Sequence, residues 1–277
     1  MRVAVIQMSP GAEKVRNIAQ ARELIESVVA EQKIDLVALP EIWTCLGGTR
    51  AQKFDQAELL PEAGGQGGEA YEFLRGIAIK HDIHVHGGSI GELAGEKLYN
   101  TTLVFSPSGE ELARYRKIHL FDITAPDGQG YKESATYGAG EDVVTCMVGE
   151  TRIGLAICYD LRFPELFLAL RRAGAELIIL PAAFTLQTGK DHWEVLLRAR
   201  AIETQCWFAA PACSGPHHEG VSGETRHTYG HSLIADPWGH VVAKASDGPG
   251  WAVASIDKAY MARLRGNMPV LEHRRLA

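Results

Sequence analysis

Short apolar segments alternating with amphipathic helical ones constrain this chain more than any other feature. Met1-Arg2-Val3-Ala4-Val5-Ile6-Gln7 starts directly as a strand, and Ile18, Ala21, Ile25, Val28 and Val29 then recur at helical spacing. That spacing predicts an amphipathic helix over about 13–30. A mostly apolar strand at 34–39 ends at Pro40-Glu41, and a Gly-rich loop at 64–68 precedes a helix at 71–80. Strands are expected at 84–90, 100–106 and 111–119, the last two joined by the Pro107-Ser108-Gly109 turn. The second half repeats the alternation: a strand at 152–157, a helix opened by Pro164 and closed by Gly174, a strand at 177–180, a helix at 192–205 and a strand at 207–212. Turns at 237–239 and 247–250 then separate antiparallel strands before a last helix around 258–265. Such alternation builds layered α/β architecture. One sheet covered on both faces and two sheets packed face to face satisfy the pattern equally.

No linker, repeat or low-complexity segment divides the 277 residues, so 1–277 reads as one domain. The net charge of −6 and the dispersed basic residues argue against a nucleic-acid partner. The basic cluster His273-Arg274-Arg275 reads as a solvated end. No secretion signal is read at the start, and no uncharged apolar run is long enough for a membrane span. Cys45, Cys146, Cys158, Cys206 and Cys213 are odd in number and scattered, the pattern of free thiols in a reducing compartment; a cytoplasmic location is expected.

Three polar groups share a setting at strand ends, where α/β sheets gather ligands. Glu41 follows an apolar strand, Lys117 lies within the strand-like stretch 113–120, and Cys158 lies between a strand and a helix. Nearby helix amides are expected to favour the thiolate of Cys158. Amide hydrolysis has a use for each group: a thiol nucleophile, a carboxylate to carry its proton, and an ammonium beside the oxyanion, with the backbone N–H of Tyr159 as a second donor. Taken one at a time, the same residues also read as a buried inert thiol, a turn acid and a lysine on a solvated strand face.

The strings Leu39-Pro40-Glu41, Tyr115-Arg116-Lys117-Ile118-His119-Leu120-Phe121-Asp122 and Cys158-Tyr159-Asp160-Leu161-Arg162-Phe163-Pro164-Glu165-Leu166 closely resemble the three catalytic blocks of the nitrilase superfamily, in the same order and at similar spacing. The resemblance runs from the first strand to the helix containing His192-Trp193-Glu194. It implies a four-layer αββα sandwich, a Glu41–Lys117–Cys158 triad, no metal and no organic cofactor. It also implies a homodimer or larger homo-oligomer, with the tail from about 258 used in assembly. The second glutamate of the family matches Glu133, which is expected to hold Lys117. Family members usually carry Pro-Gly where this chain has Ala139-Gly140, a departure expected to alter only a turn.

The stretches Gly215-Pro216-His217-His218-Glu219, Thr228-Tyr229-Gly230-His231-Ser232 and Ala235-Asp236-Pro237-Trp238-Gly239, with the ending Met268-Pro269-Val270-Leu271-Glu272-His273-Arg274-Arg275, resemble the deaminated-glutathione amidase branch. That likeness implies the γ-amide of a 2-oxo acid as substrate, with Arg162, Phe184 and Thr188 lining the pocket for its carboxylate. Arg162 stands about one helical turn beyond Cys158, within reach of a substrate carboxylate, although pairing with Asp160 or Glu165 is the structural alternative. The segment 219–227 is a few residues longer than in those amidases; a rim position would bear on the substrate. An ω-amidase acting on 2-oxoglutaramate, a nitrilase and an N-carbamoyl hydrolase are the neighbouring activities. A metal site at His84-Val85-His86 or His217-His218-Glu219 lacks a third ligand at a recognisable spacing, and a cysteine–histidine hydrolase would use His119.

Overall fold

The computed structural model describes residues 1–62, 64–124, 128, 130–219 and 224–276. Two mixed sheets account for most of its strands. Along the main path of the larger, eight-stranded sheet the order is Gly250–Ser255, Arg2–Gln7, Leu36–Ala38, His84–His86, Lys97–Phe105, Ile90–Ala94; Glu111–Arg116 and Tyr137–Gly138 also pair with Lys97–Phe105. The six-stranded sheet runs Thr145–Val148, Thr151–Leu155, Leu177–Ile179, Trp207–Ala210, Leu233–Ala235, Val241–Lys244. Each is parallel at its centre and antiparallel towards its edges.

Side chains alternate along a strand, so the larger sheet feeds two cores. Val3, Val5, Leu36 and Ala38 pack with Ile153, Leu155, Leu177, Ile179 and Phe208 of the six-stranded sheet. Ala4, Ile6, Val37 and Leu39 pack instead with Ala21, Ile25 and Val28 of helix Lys14–Glu31 and with Leu74 and Ile77 of helix Glu69–His81. Helices Pro164–Arg172 and Leu186–Thr204 bring Phe167, Leu170, Trp193 and Leu197 to the six-stranded sheet. The layers are therefore helix, sheet, sheet, helix, and of the two architectures compatible with the pattern the two-sheet one is adopted. Burying each large aliphatic side chain contributes roughly 1.5–3 kcal/mol, so the shared inter-sheet core binds the halves together.

Several local expectations change. The strand predicted over 84–90 breaks at Gly87-Gly88 into His84–His86 and Ile90–Ala94. Gly88 has φ +61°, and a Cβ there would lie 2.0 Å from the Pro40 carbonyl oxygen, so the break is what allows the chain to pass the turn before Glu41. The helix expected from 192 starts at Leu186, capped by Thr185, because Gly189 is not a breaker here: the Tyr229 ring occupies the space a side chain would need. Helix Arg50–Gln56 was not anticipated, although Thr49 and Gln52 form a capping box that announces it.

Candidate active site

Glu41 and Cys158 follow parallel strands, Leu36–Ala38 and Thr151–Leu155, while Lys117 follows Glu111–Arg116. The turn at Glu41 is held from the neighbouring segment: Ser89 N donates to Pro40 O (3.0 Å), and Ser89 Oγ accepts from Ile42 N (2.9 Å). Cys158 adopts φ +46°, with its N–H donated to Pro181 O at 2.9 Å. A non-glycine residue in this region carries a strain of about 1–3 kcal/mol, sustained here by the packed turn Cys158–Arg162. Lys117 is fixed by its backbone, N–H to Asn100 O (2.9 Å) and O from Gly140 N (2.8 Å). A Cβ on Gly140 would lie 2.2 Å from Arg116 O, so the glycine of the Ala139-Gly140 pair permits this close approach.

These three side chains line one cavity of about 240 Å³, together with Glu133, Tyr159, Arg162, Phe184 and Thr188. All eight residues singled out from the sequence are thus brought together. Lys117 is 2% exposed, and its Nζ donates to Glu41 Oε1 (2.9 Å) and to Glu133 Oε1 and Oε2 (3.1 and 2.8 Å). Burial alone would favour the neutral amine, but the charges of Glu133 and Glu41 outweigh it and hold the ammonium well above its usual range. Glu41 also accepts from Asn100 Nδ2 (2.9 Å) and, through Oε2, from Ala183 N (2.8 Å). Its carboxylate is therefore oriented by three donors.

The thiol departs from expectation. Burial, and then the nearby Glu41 carboxylate, push Cys158 well above the usual thiol range, against the opposing pull of Lys117. Burial and Glu41 therefore favour the protonated thiol over the thiolate expected from helix amides, with Lys117 opposing them.

Arg162 makes no ion pair with Asp160 or Glu165 among the described residues. Its guanidinium lies over Tyr159 and Phe184 (5.9 and 5.6 Å to the ring centroids), and Nη2 is 3.2 Å from His192 Nδ1. Thr188 shares a hydroxyl contact with Thr185 (2.8 Å). His119 does not line the cavity; its ring stacks on Phe163 and its Nδ1 lies 2.7 Å from Asp160. His86 is fully buried, and His217 has both ring nitrogens engaged, by Pro10 O and Thr228 Oγ1 (2.7 Å each). No group of three or more metal-ligating side chains occurs among the described residues, and none of their helices is long and apolar enough to cross a membrane.

Asn100, Lys53 and Arg226 also line the cavity, and the sequence reading does not single them out. A strand reading Tyr99-Asn100-Thr101-Thr102-Leu103-Val104 buries an asparagine, a residue depleted in strands, and that was a usable signal. Arg226 comes from the longer segment 219–227, so that segment does reach the cavity; its residues 220–223 lie outside those described.

The carbon-nitrogen hydrolase profile matches residues 2–266. The chain belongs to the carbon-nitrogen hydrolase family. Relatives of this carbon-nitrogen hydrolase include the deaminated glutathione amidase of Synechocystis sp., 43% identical over 98% of this chain and 97% of that protein. The human deaminated glutathione amidase is 41% identical over 99% and 82%, respectively. Among solved structures, Saccharomyces cerevisiae Nit3, a member of branch 10 of the nitrilase superfamily, superposes with a TM-score of 0.87 at 32% identity, covering 100% of this chain and 97% of that one. The fold is accordingly the nitrilase α/β fold, and the enzyme acts on carbon–nitrogen bonds.

Proposed function

We propose that this carbon-nitrogen hydrolase cleaves the γ-amide of a 2-oxo acid, deaminated glutathione, releasing 2-oxoglutarate and Cys-Gly through a thioester on Cys158. The observation that carries the reading is the convergence of Glu41, Lys117 and Cys158 on one cavity, with the ammonium held by two carboxylates. Full-length likeness to deaminated glutathione amidases supports the substrate.

In this scheme the Cys158 proton passes to Glu41 as sulfur attacks the amide carbon, because the resting thiol is neutral. Lys117 and the Tyr159 N–H face the developing oxyanion, and losing one such donor costs about 10²–10³ in rate. Collapse breaks the carbon–nitrogen bond, and the departing amine takes the proton from Glu41. Water, deprotonated by Glu41, then attacks the thioester, and the proton returns to sulfur as the acid leaves. Glu133 holds Lys117 throughout. Arg162 receives the 2-oxo acid carboxylate, with Phe184 and Thr188 shaping that end of the cavity. The scheme uses neither metal nor cofactor.

The same reading takes 1–277 as one catalytic unit that assembles into a homodimer or larger homo-oligomer through the tail from about 258. Sedimentation of the full chain and of a chain ending at 267 tests this, and unchanged size on truncation would refute it.

Turnover of deaminated glutathione, 2-oxoglutaramate and a simple nitrile is the deciding comparison, joined to mass spectrometry of quenched enzyme. The first substrate is expected to lead, with the acyl group recovered on Cys158. A lead for 2-oxoglutaramate makes the enzyme an ω-amidase, and turnover by Cys158→Ala would rule out the covalent route.

A further inference from the structure

Basic residues that are dispersed in the sequence converge in space. Lys53, Lys117, Lys132, Arg162 and Arg226 all line the cavity, against Glu41 and Glu133, and both carboxylates are bonded to Lys117. A chain of net charge −6 has thus gathered an excess of positive charge around its reactive sulfur. Such a concave field concentrates anions. If one acid group is received at Arg162, Lys53 still has no carboxylate partner among the described residues.

Lys53 and Arg226 line the cavity from two different elements. Lys53 stands on helix Arg50–Gln56 and Arg226 on strand Glu224–Tyr229, and the segment just before the helix is bonded to the other strand of that hairpin. Gly48 N donates to His218 O at 3.0 Å, and His217, next to it, faces Arg226 across the hairpin. The Arg226 guanidinium is fixed in advance: its Nη2 donates to Ala183 O at 2.9 Å, and its centre lies 5.2 Å from the Tyr131 ring centroid. Ala183 in turn donates its N–H to Glu41, so Arg226 is referenced to the carboxylate that moves the proton. Lys53 is half-buried and makes no hydrogen bond or ion pair among the described residues, so its ammonium is available to a ligand.

We propose that Lys53 and Arg226 form a second anion station that binds the carboxylate at the far end of the leaving amine. The inference rests on the amidase reading above and adds to it that the substrate is held at both acid ends, by Arg162 on the acyl side and by Lys53 and Arg226 on the amine side. Two fixed charges separated by the scissile bond would align it against Cys158. A leaving group that is ammonia gains nothing from this station.

The test pairs a substrate change with side-chain changes. Deaminated glutathione is compared with an analogue whose terminal glycine carboxylate is a carboxamide, using wild type, Lys53→Ala, Arg226→Ala and the double variant; Lys53→Gln guards against local unfolding. Wild type is expected to favour the carboxylate by about tenfold or more in kcat/KM, the size of a charge-assisted contact. Each substitution reduces that preference and the double variant removes most of it, while Arg226→Lys retains part. Equal use of both substrates by wild type, or a preference that survives the double substitution, overturns the station. 2-Oxoglutaramate separates this failure from failure of the parent reading. If wild type turns over both dipeptide substrates without preference, only the station falls; if it turns over 2-oxoglutaramate and neither dipeptide substrate, the substrate assignment falls as well.

Discussion

Tyr115 donates its hydroxyl to Asp160 at 2.6 Å, joining the strand before Lys117 to the turn that carries Cys158. The same buried carboxylate accepts Ile157 N (2.8 Å) and His119 N (3.1 Å). Its partners therefore lie two residues to either side of Lys117 and one residue before Cys158. One side chain sets the spacing of two site residues that are 41 positions apart in sequence.

Tyr115→Phe removes that link without changing the cavity wall. The loss of a hydrogen bond to a charged group is expected to cost about 1.5–3 kcal/mol of stability, measured by urea unfolding. Because the displacement falls on Lys117 relative to Cys158, kcat should drop while KM changes little. An unaltered kcat in a folded variant would remove the Tyr115–Asp160 bond from a positioning role.

Lys117→Ala leaves Glu41 and Glu133 facing each other without their shared cation. Breaking a buried ion pair from one side costs about 3–5 kcal/mol. Turnover should fall by about 10²–10³ or more with loss of the oxyanion partner. Adding Glu133→Gln should restore part of the stability and none of the activity. Recovery of turnover in the double variant would contradict the assigned role of Lys117.

Cys158 holds its proton well above the usual thiol range. Alkylation by iodoacetamide follows the thiolate fraction, so the rate at Cys158 in the free enzyme should keep rising beyond pH 9, read by peptide mapping. A plateau below pH 7 would show a preformed thiolate and overturn the coupled proton transfer.

Acid stability should be governed in part by two buried histidines. Burial pulls His86 down to about 3 and His217 down to about 4, against an ordinary value of 6.5. As pH falls below 6.5 the unfolded chain takes up protons that the native state refuses, so stability declines. Each group contributes about 1.4 kcal/mol per pH unit, through pH 4 for His217 and further down for His86. Urea midpoints at pH 7 and pH 5 check this, and His217→Asn should show a shallower dependence than wild type.

Glu41, Lys117 and Cys158 were legible through the three ordered blocks that resemble the nitrilase superfamily, since each residue alone also reads as a turn acid, a strand lysine or a buried thiol. Asn100 carried a weaker signal, a polar residue within an apolar strand. Arg226 was marked only by the length of its segment 219–227, and Lys53 carried no signal, since a lysine on a short helix looks like any solvated cation. The break at Gly87-Gly88 was also hidden, because the reason for it is the Pro40 carbonyl, 48 residues away from Gly88.

Local order dictated most of the helices and strands, because period is a property of neighbours along the chain, and the ordered motif blocks marked the side chains whose family likeness implies amide cleavage. Tertiary structure decided that two sheets, not one, enclose the core, that scattered cations meet at one cavity, and that burial and Glu41 push the Cys158 thiol up. Those outcomes depend on distance and burial between remote segments, and the energy of a charge in a protein is governed by both.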